Sequence, residues 1–587
     1  MRSLTALRVS GTKLERNLTF LGKEFGQCAA LESLYLDNTS LSAAPRDLRS
    51  LGSLSSLTIS QSPIVSLPDD LGDLRSLRRL DLRHTLLQVL PHTLGRLSGL
   101  VSLTLAGSPL RVLPDEISEL KLLHVADLSD TFLEALPEGV AELGELRLLD
   151  LSRTCMTALP STIGGMTSLT SLVATGSPVA EVAEEIGSLA LLQHLHLSDT
   201  RVRALPPSVG RLRSLRSLEV CRSPLGELPE EVAGLTALLE LRLDNTAITT
   251  LPRGVGGLRS LRLLSLAHSR LGSVPEEVEG LVALTHLDLG GTPLRALPEG
   301  VRGLGALTHL NLSCAQVETL PRGIAGLESL EVLVASHTPL ECVPVELGQL
   351  RVLASLDLSE TRVRTLPTTV GELGGLAQLV LAGSPVVDLP AEVGALRSLV
   401  LLDLSGTGVT VLPNTIGALT ALRSLNIRRT KLEGLPDSIG GLSCLRDLVG
   451  SGSPIVDLPP TIGTLRELRR LDMSDTRIQS LPASLGKLTE LRGLDISATS
   501  VRLLPDELCA LASLTHLNLA GCPISTLPDR FADLKALQYL NLSNTTIRHL
   551  PTELRRMESL QCWTTDNNFF LELLRLSYRT QAEIGEK

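Results

Sequence analysis

The chain has 587 residues, of which 43% are apolar, 2% aromatic and 20% charged, and its formal net charge at pH 7 is −10. This acidic balance and the scarcity of rings argue against a nucleic-acid-binding protein, which needs a basic surface and, for single strands, side chains on which bases stack. The apolar residues recur singly between polar ones, so no stretch approaches the roughly 18 apolar residues of a transmembrane helix, and no membrane span is expected.

The N-terminal residues MRSLTALRVSGTKLERN contain no continuous apolar run and no small-residue cleavage site, so no secretory signal peptide is predicted. They begin a repeat around Leu4 to Leu14, which a local insertion separates from the next copy. From Pro45 to Pro551 prolines recur in steps of 23 residues, and only Ala183 interrupts the series. We therefore predict about 24 repeats of 23 residues over 1–560.

Each repeat follows the pattern LxxLxLxxTxLxxLPxxIGxL. The LxxLxL part alternates apolar and outward-facing residues, which predicts a short strand, for example around Leu195 and Leu197. Proline has a fixed φ that suits the first position of the short helical turn encoded by PxxIGxL. One repeat cannot bury its leucines alone, so we predict an α/β solenoid with a parallel β-sheet on its concave side and short helical turns on its convex side.

A column of Thr or Ser follows the predicted strands, from Thr39 to Thr545, with Ala315 and Cys522 as exceptions. A hydroxyl group offers one donor and two acceptor sites, so the column predicts a buried spine of hydrogen bonds between repeats. The alternative interpretation is that Thr is simply a residue that turns tolerate.

The string LDLSxTxLxxLPxxIGxL resembles intracellular leucine-rich-repeat proteins, in particular plant intracellular immune receptors, Ras-associated leucine-rich-repeat scaffolds and bacterial effectors delivered into plant cells. The resemblance covers residues 4 to about 560 and implies a leucine-rich-repeat horseshoe or superhelix. The sequence departs from the family in carrying Thr or Ser where the family usually has Asn. The resemblance implies binding of a protein partner without identifying that partner.

Sequence motifs for catalysis and cofactor binding are missing. The chain has no GxxxxGK[ST] phosphate loop and no HExxH zinc motif, and Gly406 and Gly408 lack the third glycine of a dinucleotide fingerprint. Cys155 and Cys221 occupy outward positions of the repeat but have no His partner at an identifiable spacing, so neither is expected to be a nucleophile. We predict no enzyme activity, no cofactor and no metal site.

The middle outward position of many predicted strands is acidic, as at Asp357, Asp403 and Asp495. This column is either an acidic floor for a basic partner or a consensus feature that keeps the sheet soluble. From about residue 194 to 337 the pattern changes to a mixed set of charged and imidazole side chains, which we predict to bind the partner. Its members are His194, His196, Glu219, Arg242, Asp244, His268, Arg270, His286, His309 and His337.

After Pro551 the repeat gives way to FFLELLRLSYR, whose apolar residues recur at helical spacing. A helical cap over the last repeat is therefore predicted for 561–587, with a membrane or partner helix as the alternative. The nine cysteines are odd in number, scattered and without a CxxC pair, which favours a reducing compartment.

Together these patterns predict a cytoplasmic protein, or one delivered into a host cytosol if it is an effector, with a monomer favoured. Its predicted function is that of a non-catalytic scaffold that binds a protein partner on its concave face. The alternative is the ligand-sensing part of a larger immune-type receptor or signalling enzyme whose effector domain lies elsewhere.

Overall fold

A computed structural model describes residues 4–9, 28–44, 48–547, 557 and 559–564. The chain divides into two compact units, a first unit of residues 1–294 and 300–307 and a second unit of residues 295–299 and 308–587. Both units are built from repeats of a three-residue strand, a turn and a 3-10 helix. Within the described ranges, no helix is long and apolar enough to cross a membrane.

Each unit contains a parallel sheet in which a strand pairs with the strand of the next repeat. The strands of the first unit are Ala6–Arg8, Ser33–Tyr35, Ser56–Thr58, Arg79–Asp81, Ser102–Thr104, Val125–Asp127, Leu148–Asp150, Ser171–Val173, His194–His196, Ser217–Glu219, Glu240–Arg242, Leu263–Ser265 and His286–Asp288. The strands of the second unit are His309–Asn311, Val332–Val334, Ser355–Asp357, Gln378–Val380, Leu401–Asp403, Ser424–Asn426, Asp447–Val449, Arg470–Asp472, Gly493–Asp495, His516–Asn518, Tyr539–Asn541 and Cys562–Thr564. A separate two-residue ladder joins Ala158–Leu159 to Glu181–Val182.

The helices within the described residues are all short 3-10 turns, which return the chain from one strand to the next. In the first half of the chain they are Leu48–Ser50, Asp69–Asp73, His92–Arg96, Asp115–Glu119, Glu138–Glu142, Ser161–Gly165, Glu184–Ser188, Pro207–Arg211, Glu230–Gly234, Arg253–Gly257, Glu276–Gly280 and Glu299–Gly303. In the second half they are Arg322–Gly326, Val345–Gln349, Thr368–Glu372, Ala391–Ala395, Asn414–Ala418, Asp437–Gly441, Pro460–Thr464, Ala483–Lys487, Asp506–Ala510 and Phe531–Asp533.

In most of the described repeats the proline is the N-cap of the helix and not its first residue, so the predicted first helical position is wrong by one residue. Pro68, for example, has φ −74° and ψ 151°, and its helix starts at Asp69. The ring fixes φ near this value, which holds the chain extended just before it turns. Ala183 keeps the same conformation without a ring, with φ −68° and ψ 152°.

The core consists of one thin apolar layer per repeat. Leu195 and Leu197 of one strand and Ile186 of the preceding helix are all fully buried. Burying a leucine side chain contributes roughly 1.5–3 kcal/mol, but only when a neighbouring repeat covers it. The α/β solenoid predicted from the leucine spacing is therefore confirmed.

Every described strand that leads into the hydroxyl column ends in a left-handed turn. The residue before the column has a φ between 50° and 77°, as at Asp199 (56°) and Gly176 (77°). Glycine adopts this conformation freely, whereas any other residue there costs roughly 1–2 kcal/mol. The neighbouring hydroxyl groups help to hold the turn.

The hydroxyl column is buried as predicted, but the predicted hydrogen bonds between repeats occur at only some joints of the described residues, where they link repeats in pairs. Thr200 is 5% exposed and donates to the carbonyl of Leu197 at 2.6 Å, within its own repeat. Ser177 also reaches across, because its Oγ accepts from the N–H of Thr154 at 2.9 Å and donates to the carbonyl of Leu151 at 2.7 Å. Four other serines make the same cross-repeat bonds, namely Ser62, Ser108, Ser384 and Ser453.

The sheet of the second unit extends to residue 564, because Cys562–Thr564 pair in parallel with Tyr539–Asn541. The boundary of the helical cap predicted over 561–587 is therefore wrong, because 562–564 form a strand, and residues 565–587 lie outside the described residues. The insertion predicted between the first two repeats lies largely within residues 10–27, which are also outside the described residues.

The paired spine predicts unequal costs for two serine-to-alanine changes. Ser177→Ala removes the hydrogen bonds to Thr154 and Leu151 and leaves the buried N–H of Thr154 without its acceptor. Ser223→Ala removes one bond, to the carbonyl of Val220 at 2.8 Å. At about 1 kcal/mol per bond, we expect Ser177→Ala to lower the free energy of unfolding by at least about 1 kcal/mol more than Ser223→Ala. Urea unfolding measures both, and equal midpoints would contradict a cross-repeat role for serine.

Candidate partner-binding face

The outward-pointing positions of the three-residue strands form one surface in each unit, which we call the sheet face. The central residue of each strand is apolar and points into the core, as Leu195 does between His194 and His196. The two flanking residues are therefore presented on the surface by the alternation of the strand. Residues at the same position of successive strands lie about 4.8 Å apart and form straight columns.

Three of the predicted partner-binding residues form a row of alternating charge on adjacent strands of the first unit. His196 pairs in register with Glu219, and Glu219 with Arg242. The distance from Glu219 Oε1 is 3.8 Å to Arg242 Nε and 4.0 Å to His196 Nε2. We call these three residues the charged row. Their side chains are 29%, 29% and 40% exposed, so they are both held in place and accessible.

The charged row contains a nitrogen atom that makes no hydrogen bond with its neighbours. The Nε2 atom of His196 is buried and has no hydrogen-bond partner, because Glu219 lies beyond hydrogen-bond distance. The ring of His194 meets that of His196 edge-on, with centroids 6.1 Å apart. A partner group that reached His196 Nε2 would therefore satisfy an atom that is otherwise unpaired.

Asp244 belongs to the interior of the turn and is not a free contact residue. Its Oδ1 accepts hydrogen bonds from the N–H of Ala267 at 2.9 Å and from the hydroxyl of Ser265. Its Oδ2 lies 3.5 Å from the Sγ of Cys221, which donates to it. With both oxygens occupied, this carboxylate stabilises the turn between repeats.

Three further residues of the predicted patch lie beyond the strands, so their assignment to outward strand positions is wrong. His268 and His337 occupy the left-handed turn position, with φ 57° and 55°. The ring of His268 fills the space that a Cβ at Gly291 would need, so it packs on the next turn. Arg270 is exposed and follows the buried Ser269 of the hydroxyl column.

The last two members of the predicted patch are oriented by the residue before them. His286 in the first unit and His309 in the second each have Nδ1 2.9 Å from the hydroxyl of the preceding threonine. His516 has the same arrangement with Thr515, also at 2.9 Å. This local arrangement therefore recurs outside the predicted patch and does not by itself mark a binding residue.

The acidic column of the strands has a local structural role. Asp357 Oδ1 accepts hydrogen bonds from the N–H of Ser359 at 2.9 Å and from its hydroxyl at 2.7 Å, which ends the strand. Asn311 and Asn541 accept the same backbone bond through an amide oxygen. Seven other aspartates do so, namely Asp81, Asp127, Asp150, Asp288, Asp403, Asp472 and Asp495. The column caps strands, which explains its recurrence without a basic partner.

Cys221 and Cys155 have different surroundings, although both sequence positions were expected to face outward. Cys155 is exposed, whereas Cys221 is only 8% exposed. Burial raises the pKa of the Cys221 thiol, which disfavours the reactive thiolate. Among the described residues, no group of three or more His, Cys, Asp or Glu side chains could hold a metal ion.

Two features of the surface were missed by sequence reasoning. Glu240 lies next to the charged row, with its Oε2 3.5 Å from an Nη of Arg242. At the turn, Arg222 donates two hydrogen bonds to Asp199 and thereby lowers the pKa of that carboxyl. Asp199 and Arg222 occupy equivalent positions of adjacent 23-residue repeats, whereas Glu240 and Arg242 are two residues apart in one strand. Both spacings are visible in the sequence.

The sequence matches the leucine-rich repeat region pattern at residues 94–181, 178–270, 253–338 and 376–452, which together exceed half of the chain. It also matches the leucine rich repeat pattern at residues 52–110 and 466–524. No curated protein matches the sequence.

Several solved structures are similar to this chain over most of its length. The plant peptide hormone receptor RGFR1 in complex with RGF2 is 26% identical, covers 90% of this chain and 93% of its own, and has a TM-score of 0.61. A leucine-rich-repeat protein of Leptospira interrogans is 29% identical, with coverages of 72% and 96% and a TM-score of 0.51. The ectodomain of the Arabidopsis thaliana receptor kinase GASSHO1/SCHENGEN3, in complex with CASPARIAN STRIP INTEGRITY FACTOR 2, is 26% identical, with coverages of 95% and 75% and a TM-score of 0.53.

If the acidic residues of the column cap the strands, an amide side chain should be able to take the place of the carboxylate with little loss of stability. We expect Asp357→Asn to change the free energy of unfolding by less than about 0.5 kcal/mol, because the capping oxygen is retained. Asp357→Ala removes the acceptor of the Ser359 N–H and should cost about 1 kcal/mol. Urea unfolding of both variants is the measurement. Equal losses would show that charge, and not capping, explains the column.

The cysteines should differ in their rate of alkylation by iodoacetamide at pH 8. Burial raises the pKa of Cys509 to about 11, so its thiolate fraction at pH 8 is on the order of one in a thousand. The exposed Cys314, Cys342 and Cys444 should react fully before Cys221 and Cys509. Peptide mapping by mass spectrometry follows each site, and early labelling of Cys221 would contradict its assignment as a structural residue.

Proposed function

Because the chain belongs to the leucine-rich-repeat family, we propose that it is a non-catalytic recognition module that binds a protein or peptide partner on its sheet face. The charged row of His196, Glu219 and Arg242 is the observation that carries this proposal. These side chains are partly exposed and mutually oriented, and one buried imidazole nitrogen lacks a partner. Interfaces favour such positions because a few oriented residues at their centre dominate the binding energy.

The similar structures support a proteinaceous ligand. The receptor RGFR1 was solved in complex with RGF2, and the Arabidopsis ectodomain in complex with CASPARIAN STRIP INTEGRITY FACTOR 2. A sheet face of this length can engage a long or folded partner, since a standard interface needs only roughly 800 Å² on each side. The charged row provides both signs of charge, which fixes the orientation of a polar partner.

We further propose a cytoplasmic setting, or a host cytosol if the protein is an effector. The scattered cysteines support it, because a reducing compartment keeps such thiols free. The eight cysteines that the structure describes are all unpaired, and four of them are exposed. The second candidate is the ligand-sensing part of a larger receptor, and the likeness to receptor ectodomains favours it.

Site-specific photo-crosslinking tests where the partner binds. A benzophenone side chain placed at His194 lies beside the charged row, whereas one at Arg253 lies in a 3-10 helix on the opposite side of the repeat. We expect the chain labelled at His194 to crosslink to one partner protein and the chain labelled at Arg253 to give no crosslink. Adducts from Arg253 alone would place the binding surface on the helices.

The partner identified in this way then allows a quantitative test. In the double variant Arg242→Glu with His196→Ala, Glu219 faces a like charge and the row loses its imidazole, so we expect the Kd to rise at least about tenfold. The matched control is Arg253→Glu with His92→Ala, which changes the same residue types in exposed 3-10 helices. The control should stay within about twofold. Equal Kd values for the two variants would refute the charged row as the binding site.

A further inference from the structure

Four successive repeats of the second unit have an arginine immediately before the strand. These residues are Arg423, Arg446, Arg469 and Arg492, and we call them the arginine ladder. They lie at the N-terminal edge of the strands Ser424–Asn426, Asp447–Val449, Arg470–Asp472 and Gly493–Asp495. In the first unit, arginines in the same column are separated by other residues, as Arg216 is from Arg262 by Leu239.

Backbone hydrogen bonds hold the arginine ladder in register. Arg446 donates its N–H to the carbonyl of Arg423 at 2.8 Å, Arg469 to that of Arg446 at 2.8 Å, and Arg492 to that of Arg469 at 2.8 Å. Residues bonded in this way across parallel strands are about 4.8 Å apart. The four arginines therefore form a straight row about 14 Å long between its end residues.

The guanidinium groups of the ladder have no anionic partner within the part of the chain that the structure describes. Elsewhere arginines form ion pairs, such as Arg322 with Glu346 at 3.6 Å and Arg222 with Asp199 at 2.5 Å. By contrast, the Nε atoms of Arg446 and Arg469 are buried without a hydrogen-bond partner. The two inner arginines are half-buried and the two outer ones exposed, which is the pattern expected of side chains stacked along a column.

Of the three carboxylates in these strands, those of Asp472 and Asp495 are engaged by other groups. Asp472 Oδ1 accepts from the N–H and the hydroxyl of Ser474, and its Oδ2 is 3.8 Å from Arg470. Asp495 accepts from Ser497 and, at 2.9 Å, from the side-chain amide of Asn518. The fold thus provides partners for these acids and leaves the ladder unneutralised.

The arrangement is unfavourable for the isolated chain. Like charges about 5 Å apart repel one another, and the repulsion is stronger at the lower dielectric of a protein surface than in bulk water. Buried N–H groups without acceptors add a further cost. A chain with 64 acidic and 54 basic residues has carboxylates in excess that could neutralise this column. An external anionic group would relieve the repulsion among the four guanidinium groups.

We propose that the arginine ladder is the docking site for an extended acidic segment of a protein partner. A guanidinium group matches a carboxylate with two parallel hydrogen bonds, and four in a row match a series of carboxylates. About five residues of extended chain span the same 14 Å. Nucleic acid fits less well, because only 2% of the residues are aromatic and could stack on bases. This surface is separate from the charged row of the first unit.

Fluorescence anisotropy with a labelled hexaglutamate peptide tests the proposal on the full chain. We expect saturable binding in about 50 mM salt that weakens in about 300 mM salt, because the contacts are ionic. The variant Arg446→Gln with Arg469→Gln should weaken binding at least about tenfold. Its control, Arg216→Gln with Arg262→Gln, removes the same charge from exposed positions of the same column in the first unit and should change binding less than about twofold.

Two more variants distinguish a binding role from a structural one. Arg446→Lys with Arg469→Lys keeps the charge but not the planar fork, so its affinity should lie between those of the wild type and the glutamine variant. The thermal midpoint of the glutamine variant should stay level or rise, because repulsion is removed. If the glutamine variant unfolds instead, the affinity for hexaglutamate is measured with Arg423→Gln combined with Arg492→Gln, since these outer side chains are exposed.

Three outcomes would overturn the proposal. The first is no binding of hexaglutamate by the wild-type chain in low salt, and the second is an equal loss of affinity in the ladder variant and its first-unit control. The third is binding of a heparin hexasaccharide without binding of hexaglutamate, which would assign the ladder to a sulfated glycan. The Arg242→Glu and His196→Ala variant should bind hexaglutamate like the wild type, so failure of this proposal is distinguishable from failure of the charged row.

Discussion

The hydrogen bond from each strand to the strand one repeat away is the interaction on which the rest of this structure depends. Arg216, for example, donates its N–H to the carbonyl of Gln193 at 2.8 Å. A three-residue strand has no such partner within its own repeat, and its leucines are covered only when the next layer is in place. This bond also fixes the register, so residues of equal position form straight columns about 4.8 Å apart.

The columns explain why a residue type can stabilise the fold at one position and lack a hydrogen-bond or ionic partner at another. Most columns are used by the fold, since hydroxyls hold the turns and acids cap the strands. Even a histidine can be used in this way, as His268 is when it packs over Gly291. Two groups have neither of these roles, namely the charged row on the sheet face of the first unit and the arginine ladder immediately before the strands of the second unit. Both have polar nitrogen atoms that are buried and unpaired.

The sequence was sufficient to predict the features that depend on periodicity alone. The repeat length, the strands, the buried leucines and the burial of the hydroxyl column all follow from spacing, because burial in a stacked array repeats with the sequence. The helix start was missed by one residue, because proline has nearly the same φ just before a helix as at its first position. The strand caps and the burial of Cys221 could not be predicted, since they depend on where a side chain such as Asp244 points. The arginine ladder was visible in the sequence as a column with a step of 23, but only the structure shows that its guanidinium groups lack partners.

The pairing of threonine with serine has a consequence for the way the array opens. Repeats joined through Thr154 and Ser177 share buried hydrogen bonds that the neighbouring joint at Thr200 does not have. In a stacked array, the coupling between neighbours determines which layers separate together. Each serine-linked pair of repeats therefore behaves as one cooperative block, with seams between blocks as the places where local unfolding begins. Amide protons at such seams will exchange with solvent sooner than those inside a block. A row of near-identical repeats thereby acquires an internal order of unfolding from the hydrogen bonds of a few serines.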